Sequence, residues 1–135
     1  MKDTTQRTGL AVIRIVTGLL MLYHGLEIFD ETKMNEYLKW EVISKLPVPE
    51  LFVYAGKGIE FLGGIFLILG FFTRICALVT ALNMFFICFY VGNGRFYYED
   101  QHPFIFGILC LVFVFYGGGK WSLDEMMSQK KVTTT

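Results

Sequence analysis

Three ionisable side chains stand out within two largely apolar stretches. Lys57 and Glu60 are three residues apart inside 51–73, and His24 lies near the end of 9–29. Buried carboxyl, imidazole and ammonium groups can hydrogen-bond a polar headgroup and exchange protons with it. We therefore expect His24, Lys57 and Glu60 to form one ligand site, with Glu60 and His24 as its proton-exchanging groups.

Helix geometry brings these three residues to a similar depth. If 9–29 and 51–73 are antiparallel helices, a rise of about 1.5 Å per residue puts His24 about 22 Å and Glu60 about 20 Å from the same side. Lys57 then lies one turn further out. The structural alternative is that Lys57 and Glu60 only neutralise each other at i, i+3, with Lys57 reaching outward.

A second charged cluster is expected at the opposite end of the helices. Arg14 is about 8 Å deep by the same rise, and it leans away from Glu60 because helical side chains point toward their own N-terminus. Arg74 follows the second stretch, and the glycines at 117–119 let Asp124 fold back toward both arginines. The sequence predicts an ion-pair network of Arg14, Arg74 and Asp124.

Glycines recur every seven residues in the first two stretches. Seven residues are nearly two helical turns, so such glycines form one stripe along a helix. A glycine stripe lets a second membrane helix approach closely, so we expect the two stripes to pack against each other. The predicted packing positions are Gly18 and Gly25 on the first helix, and Gly56, Gly63 and Gly70 on the second.

Composition indicates an integral membrane protein. Of the 135 residues, 54% are hydrophobic and 18% are charged, and the net charge is zero. This balance is too apolar for an ordinary soluble domain and gives no reason to expect a nucleic-acid partner. The three cysteines lack the spacing of a zinc site, so no metal is expected.

The apolar pattern predicts an all-α, four-helix membrane bundle in a single domain, 1–135. Its spans are about 9–29, 51–73, 75–91 and 103–117, followed by a polar tail, 120–135. The loop 30–49 is expected to be a short amphipathic helix, with Tyr37 and Trp40 at headgroup level. The alternative for this loop is a lid over a site inside the bundle.

Four spans place both termini on one side of the membrane. Six lysines and arginines lie on that side and four on the other: Lys2, Arg7, Arg74, Lys120, Lys130 and Lys131 against Lys33, Lys39, Lys45 and Arg95. This bias favours cytoplasmic termini. No small-residue cleavage site follows the apolar residues 10–22, so we expect no cleaved signal.

Three motifs follow one another along nearly the whole chain. They are Arg14-x-x-x-Gly18, then Gly58-x-Glu60-x-x-Gly63-Gly64 with Leu69-Gly70-x-x-Thr73-Arg74, and finally Gly117-x-Gly119-x-x-Ser122-Leu123-Asp124. In this order they resemble the DoxX family of small four-helix bacterial membrane proteins. Two positions depart from the family pattern: Glu27 stands where a lysine is common, and Gly118 where a proline is usual.

The resemblance implies a role rather than a defined reaction. Most of the family has no assigned activity, but some relatives are membrane subunits of redox systems, including a thiosulfate-to-quinone oxidoreductase. The expectation is a subunit of a quinone- or thiol-linked redox complex in the bacterial inner membrane, with the bilayer and redox proteins as partners and quinone as the candidate ligand. A non-catalytic accessory or assembly subunit is the alternative. A small proton-coupled carrier is less favoured, because four spans leave little room for alternating access.

Overall fold

The computed structural model describes residues 2–133, and every regular element in that range is helical. The helices are α1 (Lys2–Gly25), α2 (Glu31–Leu38), α3 (Glu41–Ser44), α4 (Pro49–Leu69), α5 (Thr73–Phe86), α6 (Gln101–Tyr116) and α7 (Leu123–Thr133). A 3₁₀ turn, Leu26–Phe29, extends α1, and a π-helical turn, Ile87–Val91, extends α5. Helix α7 occupies most of the predicted polar tail, of which residues 134 and 135 lie outside the described range.

Three helical stretches are long and apolar enough to cross a membrane: Asp3–Phe29, Pro49–Leu69 and Thr73–Val91. Helix α6 is equally apolar but has only 16 residues. Large apolar side chains point outward from these helices, as at Leu19 (53% exposed), Leu62 (53%) and Leu82 (62%). Such a surface is unfavourable in water and suited to lipid. The prediction of an all-helical membrane protein is confirmed.

Local sequence sets the ends of α4. Pro49 occupies its first turn, where the fixed φ of proline suits a helix and no hydrogen bond is lost. Gly70 ends it in the left-handed conformation, with φ 65°, which glycine adopts without strain. The helix therefore runs from residue 49 to 69 rather than from 51 to 73.

Helices α1 and α4 pack backbone to backbone through glycines. A Cβ atom on Gly18 would lie 2.8 Å from the carbonyl oxygen of Gly64, and Gly25 packs against the backbone of Phe61. The partner that α1 uses on α4 is thus Gly64, which was not among the predicted packing positions. Small residues at this contact are what allow the two helices to approach so closely.

The predicted pairing of the two seven-residue glycine stripes is wrong. Gly63 faces α5, where a Cβ would lie 2.6 Å from Thr80 Oγ1, and Gly56 faces Asn83 on the same helix at 3.5 Å. Gly70 is outside the helix altogether. The reason is that α4 lies between α1 and α5. The adjacent glycines Gly63 and Gly64 are about 100° apart around the helix axis, so they contact different neighbouring helices.

The segment between α1 and α4 folds as two short helices rather than one. Asp30 caps α2 by accepting hydrogen bonds from the backbone N–H groups of Thr32 and Lys33. The inner faces of α2 and α3 pack on α4 through an apolar cluster of Met34, Ile43 and Val53. Each of these residues is at least nine-tenths buried. This cluster fixes α2 and α3 across one end of the helices.

Candidate functional site

A cavity of about 220 Å³ lies among α1, α4, α5 and α6, beneath α2 and α3. Its polar lining comes from five elements: His24, Tyr37, Lys57, Glu60, Asn83 and His102. Most of the remaining wall is apolar, with Met21, Phe52, Met84, Phe86, Ile87 and Phe106. A mainly apolar cavity with a few convergent polar groups is the usual form of a small-molecule site.

An ion-pair cluster on one wall joins α4 to the end of α1. Lys57 Nζ lies 2.9 Å from Glu60 Oε2 and 2.9 Å from Glu27 Oε2. The side chains become more exposed in the order Glu60 (6%), Lys57 (14%) and Glu27 (27%). The structure thus brings Lys57 and Glu60 together and adds Glu27, whose only signal in the sequence was its departure from the family's usual lysine.

Tyr37 ties α2 to this cluster. Its hydroxyl donates a hydrogen bond of 2.6 Å to Glu27 Oε2, and its ring centroid lies 5.0 Å from Lys57 Nζ. Burial, together with that hydrogen bond, raises the pKa of Tyr37 to about 12. Tyr37 therefore remains a donor at physiological pH. Its position matches the alternative of a lid rather than a helix facing the lipid headgroups alone.

His24 faces a second histidine. The ring centroids of His24 and His102 are 4.8 Å apart, and both rings pack edge-on against Phe106. His102 comes from the start of α6 and was not a predicted site residue, because its distance from His24 along the chain gives no sign of their contact. Each neutral imidazole has one N–H donor and one acceptor nitrogen, so the pair can present a donor to a ligand.

The α5 side of the cavity is built from an amide and an irregular helical turn. Asn83 Nδ2 donates a 3.3 Å hydrogen bond to the carbonyl oxygen of Gly56. Ile87 and Val91, at the two ends of the π-helical turn, line the cavity next to it. Such turns widen a helix locally and occur often at functional sites.

Arg14 is fully buried at the opposite end, where it binds backbone rather than carboxylates. Its Nε donates to the carbonyl oxygen of Leu67 at 2.8 Å, and Nη2 to that of Trp121 at 2.9 Å. Its Nη1 donates to the carbonyl oxygens of Gly118 and Lys120. Arg14 thus satisfies carbonyls at the end of α4 and in the loop before α7.

The predicted ion-pair network of Arg14, Arg74 and Asp124 is wrong. The Asp124 carboxylate accepts hydrogen bonds from the backbone N–H groups of Phe72 (2.8 Å) and Thr73 (2.9 Å), so it caps the start of α5. Arg74 is exposed, and no ion pair within residues 2–133 joins these three side chains. Unpaired backbone groups at helix ends supply the partners instead.

In the part of the chain that the structure describes, no three His, Cys, Asp or Glu side chains are grouped so as to hold a metal ion. The three cysteines at 76, 88 and 110 are buried and free.

Comparison with known proteins identifies the family of this chain. The DoxX family model matches residues 9–93, which span α1 to the end of the π-helical turn and include His24, Lys57 and Glu60. A protein of Haemophilus influenzae, described as uncharacterized, is 31% identical over 128 residues, which cover 90% of this chain and 92% of that protein. No solved structure matches the chain. The chain belongs to the DoxX family.

Proposed function

We propose that this protein is a small membrane subunit of a redox complex and that its cavity holds the headgroup of a quinone. The observation that carries the proposal is a carboxylate, that of Glu60, whose side chain is only 6% exposed, in a largely apolar cavity beside a pair of histidines. Ionisable groups buried at membrane depth are costly and commonly mark sites of proton or ligand exchange. The family's redox-linked members supply the chemical class.

The chain's own residues fit such a headgroup. A cavity of about 220 Å³ has room for one substituted six-membered ring. His24 and His102 can donate to a carbonyl oxygen, whereas Lys57 is already engaged by two carboxylates. The histidines are therefore better placed as donors than Lys57, and Glu60 is placed to exchange a proton.

An apolar tail would leave the cavity toward lipid. Phe52 (41% exposed) and Phe86 (37%) line the cavity and also face outward, and their rings stack with centroids 6.4 Å apart. A bound quinone supplies electron transfer coupled to proton uptake. The protein's part is to orient the ring through the imidazoles, to hold the exchangeable proton on Glu60 and to limit water with α2 and α3.

The topology that accompanies this proposal is a four-span bundle formed by a single domain, 1–135, in the bacterial inner membrane. Helix α6 is the fourth span; its 16 residues measure about 24 Å, short of the roughly 30 Å core, so the bilayer thins locally beside it. Both termini are cytoplasmic, and α2 and α3 cover the cavity on the outer side.

Purification from native membranes in a gentle detergent tests the redox role. We expect a stoichiometric partner that carries flavin, haem, an iron–sulfur cluster or reactive thiols, and quinone reduction by the complex. Glu60→Gln should retain the partner but lose quinone reduction. A stoichiometric complex without any redox protein would refute the redox role and favour the non-catalytic accessory subunit.

A further inference from the structure

Three side chains, Glu60, Lys57 and Glu27, form a continuous row that begins at the cavity wall. From the inside outward, Glu60 Oε2 lies 2.9 Å from Lys57 Nζ, which lies 2.9 Å from Glu27 Oε2. Glu27 Oε2 also accepts the 2.6 Å hydrogen bond of Tyr37, which lines the cavity. Side-chain exposure rises from Glu60 through Lys57 to Glu27, and Glu27 belongs to the 3₁₀ turn beside the exposed Asp30. All three distances are within hydrogen-bonding range.

We propose that Glu27 is the group through which Glu60 exchanges protons with the aqueous phase, with Lys57 as the intermediate carrier. The inference rests on the proposed function in taking Glu60 as the proton-exchanging group of the cavity. Glu27 lies behind Lys57 and outside the lining of the cavity, so its role is to deliver the proton rather than to contact a ligand.

The charge of the cluster supports this assignment. Two carboxylates share one ammonium, so the three groups carry one uncompensated negative charge while the imidazoles are neutral. The other titratable groups that face the cluster are Tyr37 from α2, His24 from α1 and His102 from α6. An unpaired charge away from water is unfavourable, so the cluster readily binds one additional proton.

The proton passes along the row in successive transfers. A hydronium ion protonates the Glu27 carboxylate and leaves as water. Lys57 gives one of its ammonium protons to Glu60 and takes the proton from Glu27, which restores the charge of Lys57 and the carboxylate of Glu27. The net result is one proton moved from water to Glu60, with no electron transferred.

The test follows proton arrival at Glu60 in the full-length protein reconstituted in lipid vesicles without quinone. After a rapid drop in pH, the infrared band of the protonated Glu60 carboxyl, identified by its loss in Glu60→Gln, is followed in time. Glu27→Gln should slow its appearance by about a hundredfold, within the range that a positioned proton-transfer group contributes. Glu27→Ser, a second variant with the same expected effect, guards against misfolding of the first.

Two controls separate the route from a general effect on structure. Glu27→Asp keeps a titratable group and should restore most of the rate. Glu41→Gln alters an exposed carboxylate that pairs with Lys45 on the surface, and should leave the rate unchanged. A wild-type rate in folded Glu27→Gln or Glu27→Ser would overturn the proposal. Because no quinone is present, absence of quinone binding would refute the proposed function without altering this result.

Discussion

The ammonium group of Lys57 lies 2.9 Å from the carboxylate of Glu27 and thereby joins α4 to the turn that ends α1. The same ammonium lies 2.9 Å from Glu60, one turn away on α4 itself. One cation thus holds two carboxylates, Glu60 in the wall of the cavity and Glu27 behind it. Loss of the Lys57 ammonium group would leave the carboxylates of Glu27 and Glu60 close together, poorly hydrated and without a cation.

Replacement of Lys57 by Met should therefore destabilise the protein strongly. Removing one partner of a buried ion pair typically costs about 3–5 kcal/mol. Thermal unfolding in detergent, followed by circular dichroism, measures the effect. The control is Lys45→Met, which removes an exposed cation from a surface pair and should change stability little. Equal melting temperatures for the two variants would contradict the structural role of Lys57.

Asp124 and Glu125 are adjacent acidic residues with different partners. Asp124→Ala removes a cap that accepts two backbone hydrogen bonds at the start of α5, and should cost about 1–2 kcal/mol. Glu125→Ala removes a partly exposed ion pair with Arg7, expected to be worth about 0–1 kcal/mol. Unfolding of the two variants by denaturant gives the comparison, and a larger loss for Glu125→Ala would show that the cap is unimportant.

Gly64 and Gly58 test the packing of α1 against α4. A Cβ on Gly64 would lie 2.8 Å from the carbonyl oxygen of Gly18, whereas a Cβ on Gly58 would meet open space. Gly64→Ala should lower the melting temperature. Gly58→Ala should raise it slightly, because alanine is favoured over glycine in a helix by up to about 1 kcal/mol. If both variants were stabilised, the close contact of the helices would be wrong.

Tyr37 gives a prediction about high pH. The raised pKa of Tyr37, about 12 against an ordinary 10.0, means that the folded state keeps this proton longer than the unfolded state. Its contribution to stability is therefore complete below pH 10 and is lost as the pH rises through about 12. The phenolate absorbance that disappears in Tyr37→Phe should titrate near pH 12. A midpoint near 10 would mean that Tyr37 is neither buried nor held by Glu27.

Features encoded in nearby residues were predictable from the sequence, and features that depend on helix orientation were not. The contact of Lys57 with Glu60 follows from their spacing on one helix. The approach of Glu27 to Lys57 and of His102 to His24 depends on how α1 and α6 are placed. No local sequence pattern determines that placement. Spacing likewise could not tell which of the adjacent glycines on α4, Gly63 or Gly64, would face α1.

Arg14 and Asp124 illustrate a second limit of sequence reasoning. Opposite charges brought to one end of the bundle suggested an ion pair between them. In the structure, Arg14 donates to backbone carbonyl oxygens and Asp124 accepts from backbone N–H groups. Every residue has these backbone groups except the N–H of proline, so the residue types in the sequence do not reveal them as partners. The unpaired backbone at helix ends competes effectively with charged side chains.

The central claim, that the cavity holds a quinone headgroup, can be measured with the two tryptophans of the chain. Trp40 lines the cavity, and Trp121 lies beside Arg14 at the other end. In Trp121→Phe, a short-tailed quinone should quench the fluorescence of Trp40 saturably, and His24→Ala in that background should weaken the effect. In Trp40→Phe, the remaining Trp121 should show only unsaturable quenching. Identical, unsaturable quenching of both tryptophans would contradict the claim.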